Sequence, residues 1–424
     1  MLPAILLFAA TYVLMLTFSK FRPYIALASG LIFVLSGMLP VKEILPALDF
    51  NVLLMIGGTM GLVHLFIESR MPERLADMVM EKVPNIQWAA VCLSLFAGII
   101  SAFVDNVATV LMTAPVAIEI CKKLKTNPVP FIIAIAVSSN LQGAATLVGD
   151  TTAIMLGSAL DLSFLDFIWY QGRPAMFFVV ELGAVLSSLI VYFTFRKEKG
   201  AIAKSGKLTE VTDVVPTVLL VGTIALLIAA SFLPFEMPAE TNGLICVTLL
   251  GIGLIYSYIK KKDPDAVIKP LKAIDYETLG LLVGLFLMIG GISHEGVIDA
   301  LAHLLVKLGA GNPFLMYTII VWASVLISAF IDNIPYVATM IPVIAGIALE
   351  MGIDSTALYF GLLSGATLGG NCTPIGASAN ITGIGILRKE GHTVKNSDFF
   401  KIGIPFTLAA IIPAYILIWI LFGV

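Results

Sequence analysis

Long apolar runs alternate with short polar breaks along this chain, and the breaks set the elements. Runs of 17–22 residues at 2–19, 23–39, 50–68, 174–195, 215–233, 240–259, 276–292 and 403–422 are each long enough to cross a hydrocarbon core as a helix. Two longer runs, 129–160 and 356–388, are interrupted by "NLQGAATLVGDTT" (140–152) and "SGATLGGNCTPIGASAN" (364–380). A continuous helix of that length overshoots a core of roughly 30 Å. Each is therefore predicted as two half-helices around an unwound centre, ten spans in all. The stretches 86–120 and 313–349 carry an Asp-Asn pair near their midpoints and are predicted as re-entrant hairpins. The amphipathic pieces 71–83 and 296–308 precede them and are expected to lie at the membrane interface.

Composition narrows the class. Of 424 residues, 59% are hydrophobic and only 12% are charged, about half the roughly 25% of a soluble domain. The expected fold is an all-α polytopic membrane protein, with no room for a large soluble domain. The first 20 residues lack a basic start and a cleavage site, so they are read as a retained span rather than a signal peptide. Cys92, Cys121, Cys246 and Cys372 form no C-x-x-C motif, and neither a disulfide framework nor a zinc site is expected. Ten crossings plus two returning hairpins put 22 of the 25 Lys and Arg on one side, leaving Lys42, Arg173 and Lys307 on the other. The positive-inside rule makes the first side cytoplasmic, with both termini outside. On this partition no Lys or Arg is left within the membrane.

The two halves repeat. Ser101, Asp105, Asn106, Pro115, Gly143, Thr146 and Gly149 recur 227 positions later as Ser328, Asp332, Asn333, Pro342, Gly370, Thr373 and Gly376. "DFNVLLMIGG" at 49 is echoed by "DYETLGLLVG" at 275. Each half, 1–195 and 215–424, has five crossings. An odd number makes the second copy inverted relative to the first, an architecture of secondary transporters. The charged segment 196–214 is the cytoplasmic linker.

Four irregular stretches then fall at membrane depth: the two Asp-Asn tips and the two unwound centres. Backbone unwound there must line a site or be buried in protein. Freed carbonyls suit sodium, and half-helix N-termini suit an anionic or oxygen-rich cargo. The candidate substrate- and ion-binding residues are Asp105, Asn106, Asn140, Thr146, Asp150, Thr151, Asp332, Asn333, Asn371, Thr373, Ser378 and Asn380. Asp105, Asn106, Asp332 and Asn333 are the candidate sodium sites. An intramembrane carboxylate is costly and marks function by default; leaving water disfavours its charged form, so it can trade a proton for a sodium ion. Asp150 has no repeated partner, because position 377 is alanine, and is either a helix cap or a ligand. Glu181 is read as a packing or oligomer contact, and His64 and His294 as interfacial. Cys372 alone does not make a soft-metal site.

"SAFVDNVATVLMTAPV", "ATLVGDTTAIMLGSALDLSFLDF", "SAFIDNIPYVATMIP" and "GGNCTPIGASANITGIGILRKEGH" resemble the arsenite permease / sodium–proton antiporter D branch of the ion transporter superfamily. The branch is related to divalent-anion/sodium symporters, which have Ser-Asn-Thr at both tips. The resemblance covers nearly the whole chain. It implies a homodimer in a prokaryotic cytoplasmic membrane, with fixed scaffold helices (1–39 and 215–259) and an elevator-like transport part (50–195 and 276–424). It also implies sodium or a proton as coupling ion. Where that branch reads Gly-Asp-Pro-Pro-Asn, this chain reads "GDTTA" (149–153), so the first half lacks the Asn that Asn380 supplies in the second.

The expected function is secondary transport of a small inorganic ion or oxyacid, by sodium–proton antiport or arsenite/antimonite efflux. The alternative is sodium-coupled di- or tricarboxylate symport. An intramembrane aspartyl protease fits poorly, since "TLVG" before Asp150 lacks the first glycine of GxGD. Neither an enzymatic cofactor nor a nucleic-acid partner is called for; the expected partners are the lipid bilayer and a small cargo.

Overall fold

In the computed structural model, residues 1–198, 200–201, 208–233 and 237–423 are described. Lys199, Lys204 and Lys207 of the predicted cytoplasmic linker lie outside them. The helices of the first half are α1 (Leu2–Thr17), α2 (Arg22–Leu35), α3 (Ile44–Ala47), α4 (Phe50–Glu68), α5 (Met71–Met80), α6 (Ile86–Ser101), α7 (Asn106–Leu124), α8 (Val129–Gly143), α9 (Thr151–Ala159) and α10 (Met176–Thr194). Those of the second half are α11 (Val215–Ala230), α12 (Thr241–Lys261), α13 (Asp265–Lys272), α14 (Tyr276–His294), α15 (Val297–Leu308), α16 (Pro313–Ser328), α17 (Asn333–Met351), α18 (Thr356–Gly369), α19 (Ser378–Lys389) and α20 (Asn396–Phe422). Both bounds of α6 and α7 recur 227 positions on in α16 and α17, and those of α4 recur 226 positions on in α14.

Short polar side chains start these helices. Asp49, Asn85, Asp105, Asp275, Asn312 and Asp332 each accept a backbone N–H from the first turn of the helix that follows. They satisfy donors that a helix start leaves orphaned. Lys125, Lys262 and Gly352 close α7, α12 and α17 in the left-handed conformation. The breaks expected within 140–152 and 364–380 are present, at 144–150 between α8 and α9 and at 370–377 between α18 and α19. The bends at Ala102–Asp105 and Ala329–Asp332 separate the two arms of each hairpin.

Several elements differ from the sequence expectation. Among the described residues six helices, α4, α10, α12, α14, α17 and α20, are long and apolar enough to cross a membrane, seven spans if the bent pair α15–α16 counts as one, against the ten expected. The shorter apolar helices α1, α2, α6, α8 and α11 have 14–16 residues, because caps and turns take residues that the apolar runs had contributed. By length and composition α17 passes as a span, although the sequence read it as one arm of a hairpin. Helices α15 and α16 meet at 113°, which separates α15 from the apolar run after it. Helix α20 begins at Asn396, seven positions before the predicted 403, and runs through Pro405 and Pro413. Trp169–Tyr170 and Arg173–Pro174 pair as a two-stranded turn in a chain expected to be all helical.

Burial locates the core. Every residue of α18 and all but Pro130 of α8 are buried. Such helices show no polar face because protein surrounds them. Around them pack α6, α7, α16, α17, α19 and α20. Helices α1, α2, α11 and α12 instead expose Leu6, Leu35, Val218 and Ile255 outwards. Each of α2 and α12 packs against the other half: α2 on α14, and α12 on α4. Glycines permit both crossings. A Cβ on Gly284 would lie 2.3 Å from the Ala26 carbonyl carbon, and one on Gly58 2.7 Å from that of Cys246.

Candidate functional site

The first hairpin tip, both unwound centres and α4 converge on a cavity of about 240 Å³. Six predicted residues line it: Asp105, Asn106, Asp150, Thr151, Asn333 and Ser378. They come from α7, α9, α17 and α19, so both halves contribute. His64 of α4 and Asp275 and Thr278 at the start of α14 complete the polar lining. Ile67 and Ala273 also line the cavity. Among the described lining residues there is no Lys or Arg.

The tips are not open helix ends. Asp105 Oδ2 accepts the N–H groups of Val107 and Ala108, both at 3.0 Å. Asp332 Oδ1 accepts that of Ile334 at 3.2 Å. The positive ends of α7 and α17 are thus already met by their own carboxylates. Helices α9 and α19 lack a side-chain cap. Asp150 sits at the cap position of α9 but takes its hydrogen bond from the Thr152 hydroxyl.

Behind the cavity lies a buried amide network. Asn140 Oδ1 accepts from Asn106 Nδ2 at 3.1 Å, and its Nδ2 donates to Thr367 O (2.7 Å) and Asn371 Oδ1 (3.0 Å). Asn371 Nδ2 donates to Val137 O at 2.9 Å. Asn140 and Asn371 are fully buried, so these two predicted ligands join α8 to α18 and hold Asn106 in place. The hydroxyls of Thr146 and Thr373 donate to the carbonyls of Ala102 and Ala329, tying each unwound centre to the hairpin bend of its own half. Asn380 Nδ2 donates to Gly370 O and Thr373 O, both at 3.0 Å, while its Oδ1 has no partner among the described residues. Ala153, its counterpart, is fully buried and cannot do the same for Gly143 and Thr146. At Gly149 and Gly376 a Cβ would fall 2.5–2.9 Å from the carbonyl oxygens of Gly143, Ser101 and Ala102, and of Gly370 and Ala329. Only glycine lets those carbonyls crowd together.

Asp332 stands apart. Its Oδ2 lies 3.1 Å from Arg22 Nη1, outside the cavity lining. The guanidinium of Arg22, at the start of α2, reaches a hairpin tip. His64, expected at the interface, lines the cavity; its Nε2 lies 3.8 Å from Glu68 Oε1 and has no hydrogen-bond partner among the described residues. Glu181 accepts from Gln142 Nε2 with both oxygens at 2.9 Å, a contact within the chain. Asp275 and Arg22 were missed, although the "DF…/DY…" echo had marked Asp49 and Asp275 as a repeated pair.

A family model described as a citrate transporter matches residues 12–365. The chain belongs to the citrate transporter family. Similar proteins include an uncharacterized transporter of Mycobacterium tuberculosis, 30% identical, with 98% of this chain and 97% of that protein covered. The human P protein is 28% identical over 84% of this chain, which spans about half (52%) of that longer protein. Among solved structures, the YdaH transporter of Alcanivorax borkumensis has a TM-score of 0.62 at 15% identity, covering 93% of this chain and 89% of that one; the likeness is one of fold. As a member of this family the chain is an integral membrane transporter and not an enzyme, and the ion transporter superfamily resemblance read from its motifs stands.

Proposed function

We propose that the cavity around Asp105 is where a small cation or neutral oxyacid is exchanged against sodium or protons, by alternating access of an elevator-like transport part. The carrying observation is the lining itself: three carboxylates, Asp105, Asp150 and Asp275, with no Lys or Arg among them. Such a surface favours a cation, a proton or an uncharged acid over a free anion. Of the carbonyls crowded at Gly149, those of Gly143 and Ser101 are hard oxygen ligands of the kind sodium prefers.

A comparison of two cavities supports movement, with α4 and α14, which pack on α12 and α2, taken in this reading with the fixed scaffold rather than with the transport part expected from the sequence. Met60, Val63, His64, Ile67 and Asp275 wall the Asp105 cavity. Their counterparts 226 positions away, Phe286, Ile289, Gly290, Ser293 and Asp49, wall a second cavity of about 510 Å³. The first wall faces α7 at 105–111, its tip. The second faces α17 at 338–342, which correspond to 111–115. The second hairpin is thus displaced by five residues or so, about 8 Å along a helix. Two inverted copies caught at opposite extremes of one stroke would differ in this way. In this reading the Asp105 cavity opens to the cytoplasm, both termini lie outside, and the chain works as a homodimer in a prokaryotic cytoplasmic membrane.

The family match favours a second reading, sodium-coupled uptake of a di- or tricarboxylate. Its anion would bind at the uncapped starts of α9 and α19. The two readings separate in proteoliposomes. Antiport predicts a pH-dye response to a sodium jump without any organic acid, and a further response with arsenite if that is the cargo. Robust sodium-driven accumulation of radiolabelled citrate, with no exchange in its absence, would overturn the first reading in favour of the second.

A further inference from the structure

The two repeated aspartates are chemically unequal. Both oxygens of Asp332 are engaged, one by the N–H of Ile334 and one by Arg22. Arg22 is itself held, donating from Nε to Met15 O at 3.3 Å. The side chains of the pair are only 20% and 18% exposed. Asp105 takes two N–H groups on one oxygen, forms no ion pair among the described residues, and faces the cavity.

The repeat provides Asp105 with no equivalent cation. The contact of Gly284 with Ala26 and Leu27 matches that of Gly58 with Cys246 and Val247. That alignment puts Asn242 where α2 has Arg22. Arg22 belongs to the outer α1–α2 layer, whereas Asp332 sits on a hairpin tip. A second contact joins the same parts: the Tyr12 hydroxyl of α1 is 2.7 Å from Pro335 O and 2.5 Å from the Thr339 hydroxyl. A displacement of about 8 Å would carry Asp332 out of the 4 Å reach of an ion pair and toward the Asp49–Gly290 wall.

We propose that Arg22 is an internal counter-cation for Asp332. On this face its guanidinium occupies the carboxylate and expels the coupling sodium ion. On the opposite face the pair is broken and Asp332 is free to load. This deepens the elevator reading and rests on it. A lone, partly buried ion pair is weak as structural glue, because desolvation offsets most of its attraction. A carboxylate that is already neutralised, however, cannot hold sodium at the same time. One transport cycle therefore releases the ion from Asp332 without relying on a low sodium concentration at that face.

The test is equilibrium binding of radioactive sodium to purified full-length protein. Arg22→Gln is expected to bind sodium roughly 5-fold tighter or more, and Arg22→Lys to bind it like the wild type. Adding Asp332→Asn to Arg22→Gln should remove the gain. If Arg22→Gln does not fold, Arg22→Cys serves: a thiol reagent that adds an ammonium group should restore wild-type affinity, and one that adds a sulfonate should not. Unchanged affinity in Arg22→Gln, or a gain that survives Asp332→Asn, would overturn the inference. The Asp105 reading would still stand if Asp105→Asn lost sodium in the same assay. No sodium bound by any variant, wild type included, would overturn both this inference and sodium coupling.

Discussion

Asn140 offers the most quantitative check on how the site is held. Asn140→Ala removes one fully buried side chain and leaves three groups without it: Asn106 Nδ2, Thr367 O and Asn371 Oδ1. A buried polar group that loses its partner costs about 1–3 kcal/mol, so the three sum to about 3 kcal/mol at the low end. Asn371→Ala removes one of the two acceptors of Asn140 Nδ2, leaving Thr367 O, and also the side-chain donor to Val137 O. The two residues share a bond, so their effects should not add; a coupling energy of about 0.5–3 kcal/mol is expected. Reversible unfolding in mixed micelles of increasing SDS content measures all four corners of the cycle. Additivity within about 0.3 kcal/mol, or a single-variant loss below about 1 kcal/mol, would refute the claim that this amide pair clamps α8 to α18.

Other outcomes follow from the same geometry. Gly284→Ala drives a Cβ into the backbone of Ala26 and Leu27 and should cost about 1–3 kcal/mol; Gly280→Ala, 3.4 Å from a flexible Leu27 methyl, should be nearly neutral in the same unfolding assay. Asn380→Ala strips the donor from two carbonyls and should cost about 2 kcal/mol or more, whereas Ala153→Ser, which alters the half that already lacks the amide, should leave sodium binding within about two-fold. At the end of the linker, burial pushes the Asp213 carboxyl up, but hydrogen bonds from Lys260 (2.9 Å) and the Val215 N–H (3.0 Å) outweigh it and hold the group below its ordinary value. A depressed carboxyl stabilises above its unfolded value and loses that stabilisation as pH falls through the folded one. The stability difference between wild type and Asp213→Asn should therefore be constant near neutrality and vanish in acid, as read by thermal unfolding across pH.

Much of this architecture was legible in the apolar pattern. A hairpin with Asp-Asn at its bend, and an apolar run too long for one crossing, are constraints of length that the bilayer imposes before any packing is known. The repeat offset was equally visible, and the helices recur on it. What the sequence hid depends on neighbours in space. Arg22 reads as one of many basic residues at a span end, and nothing in its local sequence points 310 positions away to Asp332. His64 reads as a residue near a helix end, yet it lines the same cavity as the tip of α7. Asp275 looks like an ordinary cap and does cap α14; its place in the cavity follows only once the start of α14 and the tip of α7 line one space. Asn140 and Asn371 were expected to face a cargo, but the two fully buried amides hydrogen-bond each other.

The central claim is that Asp105 is the group through which ions exchange. The direct measurement is sodium–proton exchange in proteoliposomes, followed by a pH-sensitive dye after a sodium jump, for wild type and Asp105→Asn. The variant keeps the size of the side chain and an oxygen for the N–H groups of Val107 and Ala108, so the hairpin tip should stay folded. The account predicts that its exchange falls to the level of protein-free liposomes. Wild-type exchange in Asp105→Asn would contradict it.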